Sequence, residues 1–191
     1  MSYSFRVRAI NDIGIGEEAT VKATPNAGYT ISGTISSYNP KNDITIELFE
    51  KVASANMLSG ATPVDTWIIS GSATGIGQIQ QPFEMEGVAA GEYTLRVKKD
   101  GHLSYIKLTL TVDDKDIDLD DLVGVITLLP GDIDGDGQIT FNDLTILLDC
   151  YDQLYPAINN PLADLDGDGQ VTFNDLSLLL DGYDELSTVE P

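Results

Sequence analysis

The side chains best placed to do chemistry lie in the last third of this 191-residue chain, where one twelve-residue phrase is written twice. Asp132-Ile-Asp-Gly-Asp-Gly-Gln-Ile-Thr-Phe-Asn-Asp143 returns 32 residues later as Asp164-Leu-Asp-Gly-Asp-Gly-Gln-Val-Thr-Phe-Asn-Asp175. Asp132, Asp134 and Asp136, and again Asp164, Asp166 and Asp168, occupy alternate positions of one tight turn, so their carboxylates converge. Gly137 and Gly169 stand where the chain must turn sharply and a Cβ would clash. The backbone carbonyls of Gln138 and Gln170 supply a further oxygen, Thr140 and Thr172 reach the centre through a water, and Asp143 and Asp175 close each set. Four carboxylates in one loop repel each other strongly unless a cation lies among them. An all-oxygen set of this kind suits a hard divalent ion, so the expectation is calcium, one ion per loop and two in all. Acidic turns at a coincidental spacing would not repeat the whole pattern.

The spacing fits the twelve-residue EF-hand loop, and the flanking elements decide which kind. Val123-Gly-Val-Ile-Thr-Leu-Leu-Pro130 before the first loop is a β-branched run ended by proline and predicts a strand. Asn159-Asn-Pro-Leu-Ala163 before the second predicts a turn. After each loop a helical pattern follows, Leu144 to Asp152 and Leu176 to Asp184. Two loop-plus-one-helix units at this distance, with Asp at the twelfth position, resemble the type I dockerin module of bacterial multienzyme complexes over residues 131 to about 187. That resemblance implies two bound calcium ions and a cohesin domain of a scaffold protein as the partner.

On a helical wheel Leu144, Leu147 and Tyr151 share one face, as do Leu176, Leu179 and Tyr183, and these are expected to form the core between the helices. Phe141, Thr145, Leu148, Asp149 and Asp152 fall on a neighbouring face, with Asn142 following Phe141. Phe173, Ser177, Leu180, Asp181 and Asp184 repeat it, with Asn174 following Phe173. Phenylalanine followed by asparagine falls on positions that resemble the dockerin recognition code, which makes these two faces the expected cohesin-binding surface. A competing reading has both phenylalanines closing the loops against the core.

Charge is unevenly spread. The chain carries a formal net charge of −21, and residues 131–191 hold fourteen Asp and Glu with no Lys, Arg or His. Two calcium ions would bring that segment from −14 to −10. Asp113-Asp-Lys-Asp-Ile-Asp-Leu-Asp-Asp121 adds six more acids. Such a surface repels nucleic acid and anionic membranes. No run reaches the roughly 18 apolar residues of a membrane span. Met1-Ser-Tyr-Ser-Phe5 lacks the basic start and apolar core of a signal peptide, although the text from Tyr3 reads as mid-domain. The single cysteine, Cys150, excludes an internal disulfide, and its repeat counterpart Gly182 marks a small helix position.

Along the rest of the chain β patterning dominates. Tyr3, Phe5, Val7 and Ala9 alternate with polar residues, Asn11 to Gly16 is turn chemistry, and Ala19 to Thr24 can return as a partner strand. Residues 1–25 resemble the last two strands of a fibronectin type III domain. From 26 to 130 seven strands are expected: Tyr29–Ser36, Asp43–Glu50, Thr66–Gly71, Gln80–Glu86, Gly91–Lys98, Ser104–Val112 and Val123–Leu129. Their spacing predicts an immunoglobulin-like β-sandwich. The stretch Phe83 to Gly101, with its glycine turn, Tyr-x-Leu strand and Lys-x-Gly end, resembles carboxypeptidase-regulatory-like or collagen-adhesin B-type domains. Small sandwiches of that type precede dockerins as X modules. The expected architecture is therefore multidomain: an all-β immunoglobulin-like sandwich followed by a small α-helical module (131–191) of two EF-hand-like loop–helix repeats.

No catalytic constellation is legible. His102, the only histidine, is expected as a solvated turn residue, and Asp113–Asp121 as a solvated strand or loop. Gly71 to Gly77 lacks the following helix of a phosphate loop, Trp67 is expected in the sandwich core, and no domain is available to hold a glycosidase carboxylate pair. The favoured function is calcium-dependent docking to cohesin by a non-enzymatic module, monomeric before docking and secreted or on a bacterial cell surface, in cellulosome- or amylosome-type polysaccharide degradation. The alternatives are a calcium-stabilised adhesin stalk and a calcium sensor or buffer. The sensor is disfavoured because no entering helices are available to open.

Overall fold

The computed structural model describes residues 28–191 in full and, before them, the backbone of residues 3–11 and 14–23. Strands β1 (Tyr3–Asn11) and β2 (Gly14–Ala23) form an antiparallel two-stranded sheet in which Tyr3 faces Ala23 and Asn11 faces Gly14. The alternation expected of Tyr3, Phe5, Val7 and Ala9 and the expected boundary after Pro25 lie outside the described residues.

A sandwich of two sheets follows. Its strands are β3 (Tyr29–Ser37), β4 (Ile44–Glu50), β5 (Asp65–Ile69), β6 (Ile79–Val88), β7 (Gly91–Lys98), β8 (Tyr105–Val112), β9 (Ile117–Asp118) and β10 (Ile126–Thr127), with a short helix α1 (Leu119–Val123) between the last two. One sheet is centred on β3, which pairs antiparallel with β6 and parallel with β9 and β10. The other runs β8-β7-β4-β5, all antiparallel. Period-2 alternation turns Ile31 and Ile35 of β3, Ile46 and Leu48 of β4, Met85 of β6 and Leu95 and Val97 of β7 into one apolar layer, each at most 1% exposed. Gly33 shares the inward face with Ile31 and Ile35, and a Cβ there would sit 3.1 Å from Phe83 and Leu119, whose side chains fill the space. Trp67 packs half-buried against this layer.

Two sequence expectations are corrected here. The strand expected over Val123–Leu129 is cut to Ile126–Thr127, because α1 runs to Val123 and Gly124 then takes a positive φ of 75°. The acidic run Asp113–Asp121 does hold the strand Ile117–Asp118 and leaves most of its aspartates in water, but α1 begins inside it and its carboxylates also take backbone bonds. Asp116 accepts the Thr30 amide, Asp120 accepts both the amide and the hydroxyl of Thr34, and Asp118 caps α1 through the Asp120 amide. Amides along β3 and at a helix start need acceptors, and carboxylates supply them.

Beyond Pro130 the chain forms helices α2 (Phe141–Asp149) and α3 (Phe173–Asp181), then strand β11 (Thr188–Glu190). Both helices start three residues earlier than their apolar pattern, because the loop ends inside the first helical turn. Ile133, Ile139, Leu147, Cys150, Ile158, Ala163, Leu165, Val171 and Leu179 make a second core, which Leu103 of the sandwich side joins. The expected helix-to-helix face is deepest at Leu147 and Leu179, half-buried at Leu144 and Leu176, and partly exposed at Tyr151 and Tyr183. Gly182, the counterpart of buried Cys150, would place a Cβ 2.9 Å from Ile139, so a small residue fits there. β11 returns to the sandwich, pairing parallel with β8 so that Thr188 meets Tyr105 and Glu190 meets Lys107. The Tyr105 hydroxyl donates to Glu190 at 2.9 Å.

Candidate metal centre

Each aspartate loop is shaped by its own carboxylates. Asp134 accepts the Asp136 amide at 3.1 Å and Asp136 accepts the Gln138 amide at 2.9 Å, while Asp166 and Asp168 repeat this with Asp168 and Gln170 at 2.9 and 2.8 Å. Such local bonds fold an Asp-x-Asp-x-Asp sequence into successive turns. Asp132 accepts the Gly137 amide through Oδ2, and Asp164 accepts that of Gly169. Gly137 and Gly169 have φ of 89° and 96°, which L side chains rarely adopt.

At the loop ends Thr140 and Thr172 cap α2 and α3, accepting the amides of Asn142 and Asn174. Asp143 and Asp175 complete the capping boxes by accepting the Thr140 and Thr172 amides at 2.8 Å. Their other oxygens accept two amides of the loop start, those of Ile133 and Asp134 or of Leu165 and Asp166. Both residues are fully buried. They tie the beginning of each loop to the helix behind it.

The side chains brought within 4.8 Å of one another are Asp132, Asp134 and Asp136, and again Asp164, Asp166 and Asp168. Asp143 and Asp175 stand outside these groups with their oxygens turned to amides. Gln138 and Gln170 each lie in a single β-bridge, to Leu186 and Leu154. The donor set fits a cation at one decisive point. Asp132 and Asp164 are 4% and 7% exposed, and the Oδ1 of each is buried without a hydrogen-bond partner. A buried carboxylate oxygen left bare is costly, and a hard cation among three converging carboxylates removes that cost.

Burial, reinforced by the neighbouring Asp143 and Asp136 charges and opposed by the Gly137 amide, pushes the Asp132 carboxyl up to about 6. Burial likewise raises Asp164 to about 6, with Asp175, Asp166 and Asp168 adding to it against the Gly169 amide. Both lie above the ordinary aspartate value of about 3.9 in an unfolded chain. A raised folded-state value means that protonation stabilises the metal-free fold, fully below about pH 4, and that this contribution is lost as pH rises through about 6. Without calcium, helical signal from this segment is therefore expected to be greatest near pH 4 and to be lost as pH rises through about 6. With excess calcium the cation replaces the protons and the slope reverses. Asp132→Asn with Asp164→Asn should flatten the chelator profile; an unchanged profile would detach the effect from these carboxyls.

The second expected surface is open to solvent. Phe141 and Phe173 are 68% and 67% exposed, and Leu148 and Leu180 are 50% and 49% exposed. The phenylalanines therefore do not close the loops against the core. Asn142, Thr145, Asp149 and Asp152 are exposed beside the first pair, and Asn174, Asp181 and Asp184 beside the second, with Ser177 half-buried.

His102 is a correction. It is 4% exposed, its Nδ1 pairs with the Asp100 carbonyl at 3.1 Å, and its Nε2 has no partner. It sits where residue 102 bridges Pro130, so the turn expected in solvent is covered by the chain entering the first loop. Burial lowers its pKa to about 4, which keeps it neutral. Sequence reasoning also missed Asn39 and Gly77. Asn39 Nδ2 donates to the Asp164 carbonyl at 2.8 Å, and the Gly77 amide donates to the Asp166 carbonyl at 2.6 Å. Their only local signal is turn chemistry around Asn39-Pro40 and Gly75-Ile-Gly77.

Residues 130–181 match the family model described as the dockerin type I domain. Among solved structures the chain is similar to an N-terminal interface mutant and a C-terminal interface mutant of a type II cohesin–X–dockerin complex from Acetivibrio cellulolyticus. Each match has a TM-score of 0.58 and 22% identity, and covers 84% of this chain and 98% of that one. The likeness is one of fold: a two-sheet β-sandwich followed by a small helical part. No curated protein matches.

Proposed function

We propose that this chain is a calcium-dependent docking module that binds a cohesin domain and so attaches its carrier to a scaffold of the cellulosome or amylosome type. The observation that carries the reading is the dockerin type I match at 130–181 over two loops whose buried Asp132 and Asp164 each keep a bare oxygen. Calcium is held by Asp132, Asp134 and Asp136 with the Gln138 carbonyl and, through a water, Thr140 in the first loop, and by Asp164, Asp166, Asp168, the Gln170 carbonyl and Thr172 in the second; Asp143 and Asp175 complete each site once the ion draws an oxygen from its loop amides. When bound, the ions neutralise the converging carboxylates and fix each loop on its helix. The chain's own residues do the recognition: Phe141 and Leu148, or Phe173 and Leu180, present an apolar centre rimmed by aspartates, a layout suited to a hot spot in a polar ring. The matching cohesin surface is apolar at its centre and basic around it.

In this reading residues 26–130 are an X-module-like sandwich, residues 1–25 the end of a fibronectin type III domain, and the chain works outside the cell without catalysis of its own. No helix among the described residues is long and apolar enough to cross a membrane. A calcium sensor is disfavoured because the segments before the loops are the short strand Ile126–Thr127 with Pro130 and a one-turn 3-10 segment, Pro161–Ala163. The remaining rival is an adhesin stalk in which calcium only stiffens the fold. Titration of immobilised type I and type II cohesins with the full chain, in calcium and in chelator, separates these. Binding to a cohesin in calcium alone is the expected result. A chain that takes up calcium yet binds no cohesin of either type would favour the stalk.

A further inference from the structure

The two loops have the same ligand types in the same order, but the fold treats them differently. Their second halves are braced alike. Gln138 bridges Leu186 and the Ser187 amide donates to the Gly137 carbonyl, while Gln170 bridges Leu154 and the Tyr155 amide donates to the Gly169 carbonyl. Their first halves part company. In the second loop the Asp164 carbonyl takes the buried bond from Asn39 Nδ2, and the Asp166 carbonyl takes the Gly77 amide, both donors belonging to turns of the sandwich. Asn39 is 6% exposed, is held at a positive φ of 52°, and its Oδ1 accepts the Lys41 amide, so the side chain has little freedom to move.

Gly135 and Gly167 report the same difference. They occupy the same loop position and have nearly the same φ, 76° and 77°. A Cβ on Gly135 would meet nothing within 4 Å, whereas one on Gly167 would sit 2.7 Å from Asn39 Oδ1. The first loop stands clear of the sandwich at this position, and the second is pressed into it.

We infer that Asn39 and Gly77 are positioning residues for the second aspartate loop, so that the two calcium sites are unequal and the second is the preformed, tighter one. The inference rests on the calcium reading above. Holding two loop carbonyls by donors on turns of the sandwich removes part of the ordering cost that the first loop must meet when it closes on its ion. The sandwich thereby acts on the metal site without supplying a ligand to it.

Calorimetric titration of the full chain with calcium chloride tests this. Asp132→Ala leaves the second site to be read alone, and Asp164→Ala leaves the first. The second is expected to be the tighter by about tenfold, the worth of one well-made buried hydrogen bond. Asn39→Gly keeps the positive φ and removes the donor. It should weaken the second site by a similar factor and leave the first unchanged, a site-selective shift that a general loss of stability would not produce. Should a single-site variant fail to fold, Gly135→Ala and Gly167→Ala replace it, since both carry the same backbone strain. Gly167→Ala must then cost the chain's calcium binding clearly more than Gly135→Ala. Equal sites, an Asn39→Gly effect shared by both, or equal effects of the two glycine substitutions would each overturn the inference while leaving calcium binding intact. A wild-type chain that takes up no calcium would instead overturn the reading it rests on.

Discussion

At pH 7, withdrawing calcium from the full chain, or replacing Asp132 and Asp164 together with alanine, is expected to unfold residues 131–187 while the sandwich stays folded. The segment carries fourteen acids among residues 131–191 and no basic side chain, so nothing of its own offsets the repulsion. Its second core is small, and Leu147 and Leu179 are the only fully buried leucines of its two helices. By mass action a ligand at about a thousand times its dissociation constant stabilises by roughly 4 kcal/mol per site, enough to decide whether so small a core folds. Far-ultraviolet circular dichroism should lose the signal of α2 and α3, and proteolysis should cut between Asp132 and Asp184. The sandwich should keep its own melting transition, because its apolar layer is a separate cluster. Intact helices in chelator would remove calcium from the account of this fold.

The second large effect is expected at the exposed aromatic pair. Phe141→Ala and Phe173→Ala should each cost little cohesin affinity, because the repeat offers the same apolar centre after a half-turn of the module. The double variant should lose roughly 2–4 kcal/mol, the range of a strong hot spot, and so far more than the two single losses added together. Both phenylalanines are more than 60% exposed, so neither substitution opens a cavity, and melting should hardly move. Isothermal titration against a cohesin gives the comparison. If one single variant abolishes binding and the other is silent, only one face is used and the half-turn argument fails.

The aspartate loops were legible because their geometry is local. Asp-x-Asp-x-Asp-Gly dictates its own turns. The capping boxes of Thr140 with Asp143 and Thr172 with Asp175 are as local but were read only as ligand positions. The strands were legible through alternation, which is why β3, β4, β6, β7 and β8 lie within two residues of their expected bounds. What escaped depends on residues far apart in the chain. Nothing near His102 announces that the turn carrying it will be covered by Pro130. The Asn39 bond to Asp164 joins positions 125 residues apart, and a lone asparagine before proline reads only as a turn. β11 is three residues long, too short for any period to register. The helix α1 was hidden by an acidic run whose alternation reads as a strand and whose exposed side chains also serve neighbouring amides.

That short β11 also bears on how the sandwich avoids sticking to other molecules. β8 would otherwise end its sheet with a row of bare amides and carbonyls, and Thr188 to Glu190 cover that row from Tyr105 to Lys107. An uncovered strand edge is a template for pairing with another chain. The segment leading into β11 is held to the first loop by Asp184 and Ser187, whose amides bond to Ile139 and Gly137, and by the Glu185 carbonyl, which accepts the Ile139 amide. If the first loop opens on calcium loss, as proposed, the cover on β8 is expected to lose this tether and to rest on Ser104 and Tyr105, so that a strand edge loosens as the two helices melt. Aggregation in calcium-free solution is therefore expected to depend on three residues that touch no ion, although β5 remains an edge of the same sheet.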